Sequence, residues 1–249
     1  MNKKVVLITG SSRGIGANLA ENFAQKDYKV VINYSKSEKE AKDQYSKIIT
    51  LTDRDSVLCI KADVSNRSNV NTMFDEIYGT FGKIDVLINN AGINMDMPFI
   101  DMTEDAWANV ISTILTGSFN CSQEFARRFR ESTGHIINIG ALTAVSGRKN
   151  GINYCTARAG ILNFTHCLAL ELAPRICVNT VSPGCINTEE VMTRKSLYDK
   201  ESYNKTLSLI PSGRLGTPED IFNAIYFLVN DSTYITGQNI IVDGGYLMR

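Results

Sequence analysis

The chain has 249 residues, 43% hydrophobic and 21% charged, an ordinary balance for a globular domain and enough length for one sizeable core. Lysine plus arginine and aspartate plus glutamate stand at 26 each, so no net field draws the chain to nucleic acid or to a membrane surface. The apolar run after Met1-Asn2-Lys3-Lys4 is too short for a secretory core and no later run approaches a membrane span, so a cytoplasmic protein is expected.

In chain order, β-branched apolar runs predict strands at 5–9, 29–33, 57–61, 85–89, 135–139, 177–180 and 239–242. Helical periodicity places helices between them, at 15–25, 37–50, 70–81, 104–130, 152–172 and 218–229. Short apolar strands alternating with amphipathic helices make βαβ units, and right-handed crossovers make the default a doubly wound sheet. The expected fold is therefore α/β: one Rossmann-like domain over 1–249, a parallel sheet of about seven strands with helices on both faces. No linker or repeat interrupts it. The least regular part, 187–216, reads either as a substrate lid or as a solvated connector.

The first strand runs into Gly10-Ser11-Ser12-Arg13-Gly14-Ile15-Gly16 and then directly into a helix. Glycines there permit a tight turn and close backbone approach to a pyrophosphate at the helix N-terminus, where free N–H groups favour anions. The second strand ends in Asn33, with no acidic residue to grip a ribose 2′-hydroxyl. Arg13 and Lys36 offer charge for a 2′-phosphate instead, which favours NADP(H) over NAD(H). The six cysteines show no CxxC pair and no zinc spacing, and neither His135 nor His166 has partners at metal or triad spacing, so no metal is expected.

Further marks follow in order: Asp63-Val64 after the third strand, Asn89-Asn90-Ala91-Gly92 after the fourth, Tyr154-Cys155-Thr156-Ala157-Arg158, and Pro183-Gly184-Cys185-Ile186-Asn187-Thr188 after the sixth. With Thr9-Gly10 and the glycine loop, and with Gly213-Arg214-Leu215-Gly216 and Asp243-Gly244-Gly245 near the end, this series resembles the short-chain dehydrogenase/reductase family over nearly the whole chain. It is most similar to 3-oxoacyl-carrier-protein reductases. The resemblance implies a cofactor cleft built from Gly10, Ser12, Arg13, Gly14, Ile15 and Gly16, then Asp63 and Val64 at the adenine. Asn89, Ala91 and Gly92 would support the cleft, and Pro183, Gly184, Ile186 and Thr188 would reach its nicotinamide end.

The resemblance also implies a tyrosine proton donor at Tyr154, with Arg158 where the family has lysine. A serine is expected thirteen residues before Tyr154, where Ala141 stands, and an asparagine where Ile114 stands. Arginine keeps the charge but does not pass a proton on, and a lost transition-state hydrogen bond lowers rates by ~10²–10³-fold. Standard 3-oxoacyl reduction is thus expected to be severely impaired or absent. Polar neighbours that might take over are Thr143, Ser146, Asn138 and Thr113. The alternatives are an active reductase with a remodelled relay, or a non-catalytic partner subunit or NADP(H)-responsive regulator. The family resemblance implies a dimer or tetramer, homomeric or heteromeric, through the helices at 104–130 and 152–172. It also implies contact of an acyl carrier protein with Arg127, Arg128, Arg130 and Arg175, unless these merely complement helix C-termini.

Overall fold

The computed structural model describes residues 3–248. Along the chain lie β1 (Val5–Ile8), α1 (Gly14–Gln25), β2 (Lys29–Tyr34), α2 (Glu38–Ile48), β3 (Val57–Lys61), α3 (Arg67–Phe81) and β4 (Val86–Asn89). They continue as α4 (Glu104–Ile111), α5 (Gly117–Arg128), β5 (Gly134–Ile139), α6 (Thr143–Ser146), α7 (Ile152–Leu172) and β6 (Ile176–Pro183). Last come α8 (Glu189–Arg194), α9 (Lys200–Ser208), α10 (Pro218–Asn230) and β7 (Asn239–Val242).

The seven strands form one parallel sheet in the order β3-β2-β1-β4-β5-β6-β7. Period-two burial fixes its register. Val6 and Ile8 face a layer made by α1, α2 and α10, while Val5 and Leu7 face α3, α5 and α7. Because both faces are covered, the strands read as continuous apolar runs rather than alternating ones. On the first face Phe23 meets Tyr28 and Phe222 edge-on, with ring centres 4.9 and 5.3 Å apart. Each such side chain, once buried, contributes about 1.5–3 kcal/mol. Since β1 pairs with β2 on one side and β4 on the other, the order in which strands are added reverses beside β1, and a crevice opens at the carboxyl ends of β1 and β4.

One sequence expectation changes, and one irregular segment takes a definite form. The helix expected over 104–130 is broken: a π-helical turn, Ser112–Thr116, separates α4 from α5 and carries Ile114. Thr113, Ile114 and Thr116 are β-branched and pack poorly into a regular helix, and Ser118 bonds back to the Ile114 carbonyl at 2.6 Å. The segment 187–216, read from sequence as either a lid or a connector, carries helices of its own. It folds into α8 and α9, capped by Thr188 and Asp199, around a satellite cluster of Cys185, Leu197, Ile210 and Leu215. That cluster is tied to the C-terminal turn by Tyr246 and by Ser212 N–H donating to the Gly244 carbonyl at 3.0 Å.

Candidate active site

The glycine loop is held by side chains that bond backbone. Gly10 takes φ +61°, and a Cβ there would lie 2.9 Å from Ala91 Cα, so only glycine fits between the loops after β1 and β4. Asn33 is 1% exposed; its Oδ1 accepts from Gly10 N at 3.1 Å while its Nδ2 donates to the carbonyls of Ala62 (3.0 Å) and Ile60 (3.4 Å). It therefore shapes the loop and has no free group for a ribose. Asn90 does the matching work from the loop after β4: its Nδ2 donates to the Thr9 and Gly10 carbonyls at 2.8 and 2.9 Å. Thr9 Oγ1 accepts from the N–H groups of Asn90 and Ala91, both at 3.0 Å. Gly16 lies so close that a Cβ would stand 2.6 Å from both Asn90 Nδ2 and the Gly10 oxygen. Thr9 and Asn90 carry no motif role of their own in the sequence; their one signal is position beside Gly10 and Gly92.

The residues fit a dinucleotide. The first turn of α1 has no side-chain cap, and a Cβ on Gly14 would meet nothing within 4 Å, which leaves the helix N–H groups open to an anion. Ser12 is nearly buried in the same loop, with Ile15 half-buried behind it. Arg13 and Lys36 are exposed and carry no ion pair or side-chain hydrogen bond among the described residues. Asp63 turns its carboxylate onto Ser65 (2.7 and 2.9 Å), and Val64 packs on Gly117, where a Cβ would come within 2.6 Å of it.

Tyr154 and Arg158 stand one turn apart on α7. Arg158 is 5% exposed, and its Nη1 donates to the Ile139 carbonyl at the end of β5. Its Nη2 presses on Gly92, where a Cβ would be 2.5 Å away, and its Nε has no partner. The guanidinium carbon lies 5.3 Å from the centre of the Tyr154 ring. Ile114 is fully buried with Val110, Ala157 and Ile161, and the Tyr154 ring packs against this apolar cluster. Ala141 is buried at the start of the loop after β5.

The polar neighbours separate clearly. Asn138 is not in the cleft: it accepts from Asn89 at 2.8 Å and donates to Thr165 at 2.8 Å, which meets Thr180 at 2.7 Å. Asn89 also donates to Ser122 at 2.9 Å, so it braces the sheet beneath the cleft. Ser146 bonds the local Leu142 and Gly147 carbonyls. Thr143 alone among these has a buried hydroxyl without a partner; Thr113 is half-buried in the π turn. Arg148, which no sequence motif marks, also places its guanidinium carbon over the Tyr154 ring, 4.9 Å from the ring centre.

The third loop closes the site. Pro183 ends β6, Gly184 abuts Asp243, Ile186 bridges to Gly216, and Thr188 caps α8. Away from it, Arg127 and Arg128 pair with Glu124, Arg128 also with Asp75, and Arg130 and Arg175 cap backbone carbonyls of the α5 terminus. Those arginines are engaged within the chain. Burial pushes the Cys121 thiol up to about 12 and Cys59 to about 11, so neither is a ready nucleophile. No metal-ligating cluster and no helix long and apolar enough to cross a membrane occurs among the described residues.

The family model described as "Enoyl-(Acyl carrier protein) reductase" matches residues 10–247. The 3-oxoacyl-[acyl-carrier-protein] reductase FabG of Staphylococcus aureus is 39% identical over 248 residues, 98% of each chain. That of Vibrio cholerae is 38% identical over 248 residues, again 98% of each. Among solved structures, a short chain dehydrogenase from Bacillus anthracis superposes with a TM-score of 0.87 at 33% identity, covering 98% of this chain and 96% of that one. The fold, the glycine loop and the Tyr154 frame agree with these likenesses: the chain belongs to the short-chain dehydrogenase/reductase family of oxidoreductases.

Proposed function

We propose that the chain binds NADP(H) and works on a 3-oxoacyl thioester or similar carbonyl through Tyr154, with reduction strongly slowed. The observation that carries this reading is Arg158, buried and tied to Ile139, with its charge 5.3 Å from the Tyr154 ring. Bound NADPH would supply the hydride to the carbonyl carbon. The Tyr154 hydroxyl would give its proton to the carbonyl oxygen, and the tyrosinate left behind would regain one from solvent. Arg158 favours that anion electrostatically but holds its own protons, so it assists without relaying.

Ala141 gives no hydrogen bond to orient the carbonyl, and Ile114, fully buried, has no polar atom to hold a relay water. Each loss of this type lowers rate by ~10²–10³-fold, and such losses are not additive. The same two residues favour a second reading, a cofactor-binding subunit that stabilises an active homologue. Leu170 on α7 and Phe119 on α5 are exposed apolar side chains on helices through which a dimer or tetramer would form. An acyl carrier protein would be the macromolecular partner, in the cytoplasm. NADPH oxidation with an acetoacetyl thioester tests the first reading: slow turnover that disappears in Tyr154→Phe supports it. Complete silence, with an active homologue co-purifying, would favour the second.

A further inference from the structure

Arg148, on the turn between α6 and α7, joins three separate segments. Its Nη2 donates to Asp96 Oδ1 at 2.5 Å and to Asn94 Oδ1 at 3.0 Å, and its guanidinium carbon lies 4.9 Å from the Tyr154 ring centre. Asn94 donates in turn to Glu190 Oε1 on α8 at 2.9 Å, and Arg194 donates to the same oxygen at 2.7 Å. A continuous run of polar contacts thus leads from α8 to Tyr154.

The wedge is tight. The Arg148 side chain is 18% exposed, and a Cβ on Gly151 would stand 2.6 Å from its Nε. The loop it grips is pinned twice more, by Met97 N–H to the Asn150 carbonyl at 2.8 Å and by Asn153 Nδ2 to the Met95 carbonyl at 3.0 Å. A planar guanidinium can bond two oxygens at its edge while lying against an aromatic ring; a lysine ammonium cannot hold all three.

We propose that Arg148 is a positioning residue for Tyr154, and that through Asn94 it couples the Tyr154 ring to the docked position of α8. The inference rests on the reading of Tyr154 as proton donor. Movement of α8 away from the cleft breaks the Asn94–Glu190 bond and loosens the loop that holds Arg148. A substrate enclosed beneath α8 therefore meets a fixed Tyr154, and an open cleft does not.

Amide hydrogen exchange across 189–196, measured beside NADPH oxidation with an acetoacetyl thioester, tests the coupling. Arg148→Ala should speed exchange in that segment about tenfold although Arg148 does not touch α8. It should also lower kcat more than it raises KM, and Arg148→Lys should rescue neither. Asn94→Asp sets a carboxylate against Glu190 and should release α8 similarly. Adding Glu190→Gln, whose amide can donate to that carboxylate, should restore slow exchange and so guard against simple misfolding. Unchanged exchange in Arg148→Ala and Asn94→Asp, or no restoration in the double variant, would overturn the coupling. If the unmodified chain shows no turnover, the proton-donor reading falls, while exchange alone still decides whether Arg148 and α8 are linked.

Discussion

The two ends of the crevice are built on different principles. At the glycine loop, Thr9, Asn33 and Asn90 bond backbone groups, so the polar side chains that shape the site also hold the fold. Around Tyr154, Ala141 and Ile114 merge into buried apolar packing, and Arg158 is fastened to the Ile139 carbonyl. A side chain that braces no backbone, as at Ala141 and Ile114, can be exchanged without disturbing the scaffold. A group that shapes a loop cannot.

The largest effect that would break the comparison is at Gly16. Gly16→Val has no room beside Asn90 and the Gly10 oxygen, and NADPH affinity should drop by about 100-fold or more in a fluorescence titration. Unaltered affinity would mean the loop does not hold the cofactor. At the other end, Tyr154→Phe should remove about 100-fold of whatever turnover exists and leave NADPH affinity within about threefold. Loss of affinity instead would make Tyr154 a binding residue rather than a proton donor. Arg13→Ala with Lys36→Ala should weaken NADPH about 30-fold while sparing NADH, since each charge-assisted hydrogen bond is worth about 1.5–3 kcal/mol. Equal weakening of both cofactors would remove the 2′-phosphate assignment.

The smallest effect concerns the scaffold both ends share. Burial holds the His135 imidazole down to about 4, against an ordinary 6.5, and its Nδ1 has no partner. The unfolded chain therefore takes up a proton between pH 6.5 and 4 that the folded chain refuses. Stability from this group is complete above pH 6.5 and is lost as pH falls through that window, by about 3 kcal/mol. Urea unfolding of His135→Asn should show a shallower decline over the same range. An identical decline would place acid sensitivity elsewhere.

Much of the fold was legible because apolar period and punctuation agree: β3, α7 and β7 match their predicted limits, and other elements differ by a few residues at their ends. The π turn at Ser112–Thr116 was not, since a π insertion keeps the same apolar residues and alters only the hydrogen-bond step. Short helices α8 and α9 escaped because each is too brief to show a full amphipathic period, and their stability comes from the cluster around Leu197 and Ile210. In the site, glycine spacing announced the loop, yet the brace by Asn90 and the position of Arg148 depend on contacts between segments far apart in sequence. Asn138 and Thr143 looked equivalent as polar candidates. Only the neighbours Asn89 and Thr165 reveal that one is fully engaged and the other is not.

The central contrast is tested most directly by comparing NADPH oxidation, with an acetoacetyl thioester, for this chain and for the combined Ile114→Asn, Ala141→Ser, Arg158→Lys variant. NADPH affinity should be the same in both, and turnover should rise by about 100-fold or more in the variant. Equal turnover at equal affinity would contradict the claim that chemistry has been weakened while the cofactor end is intact.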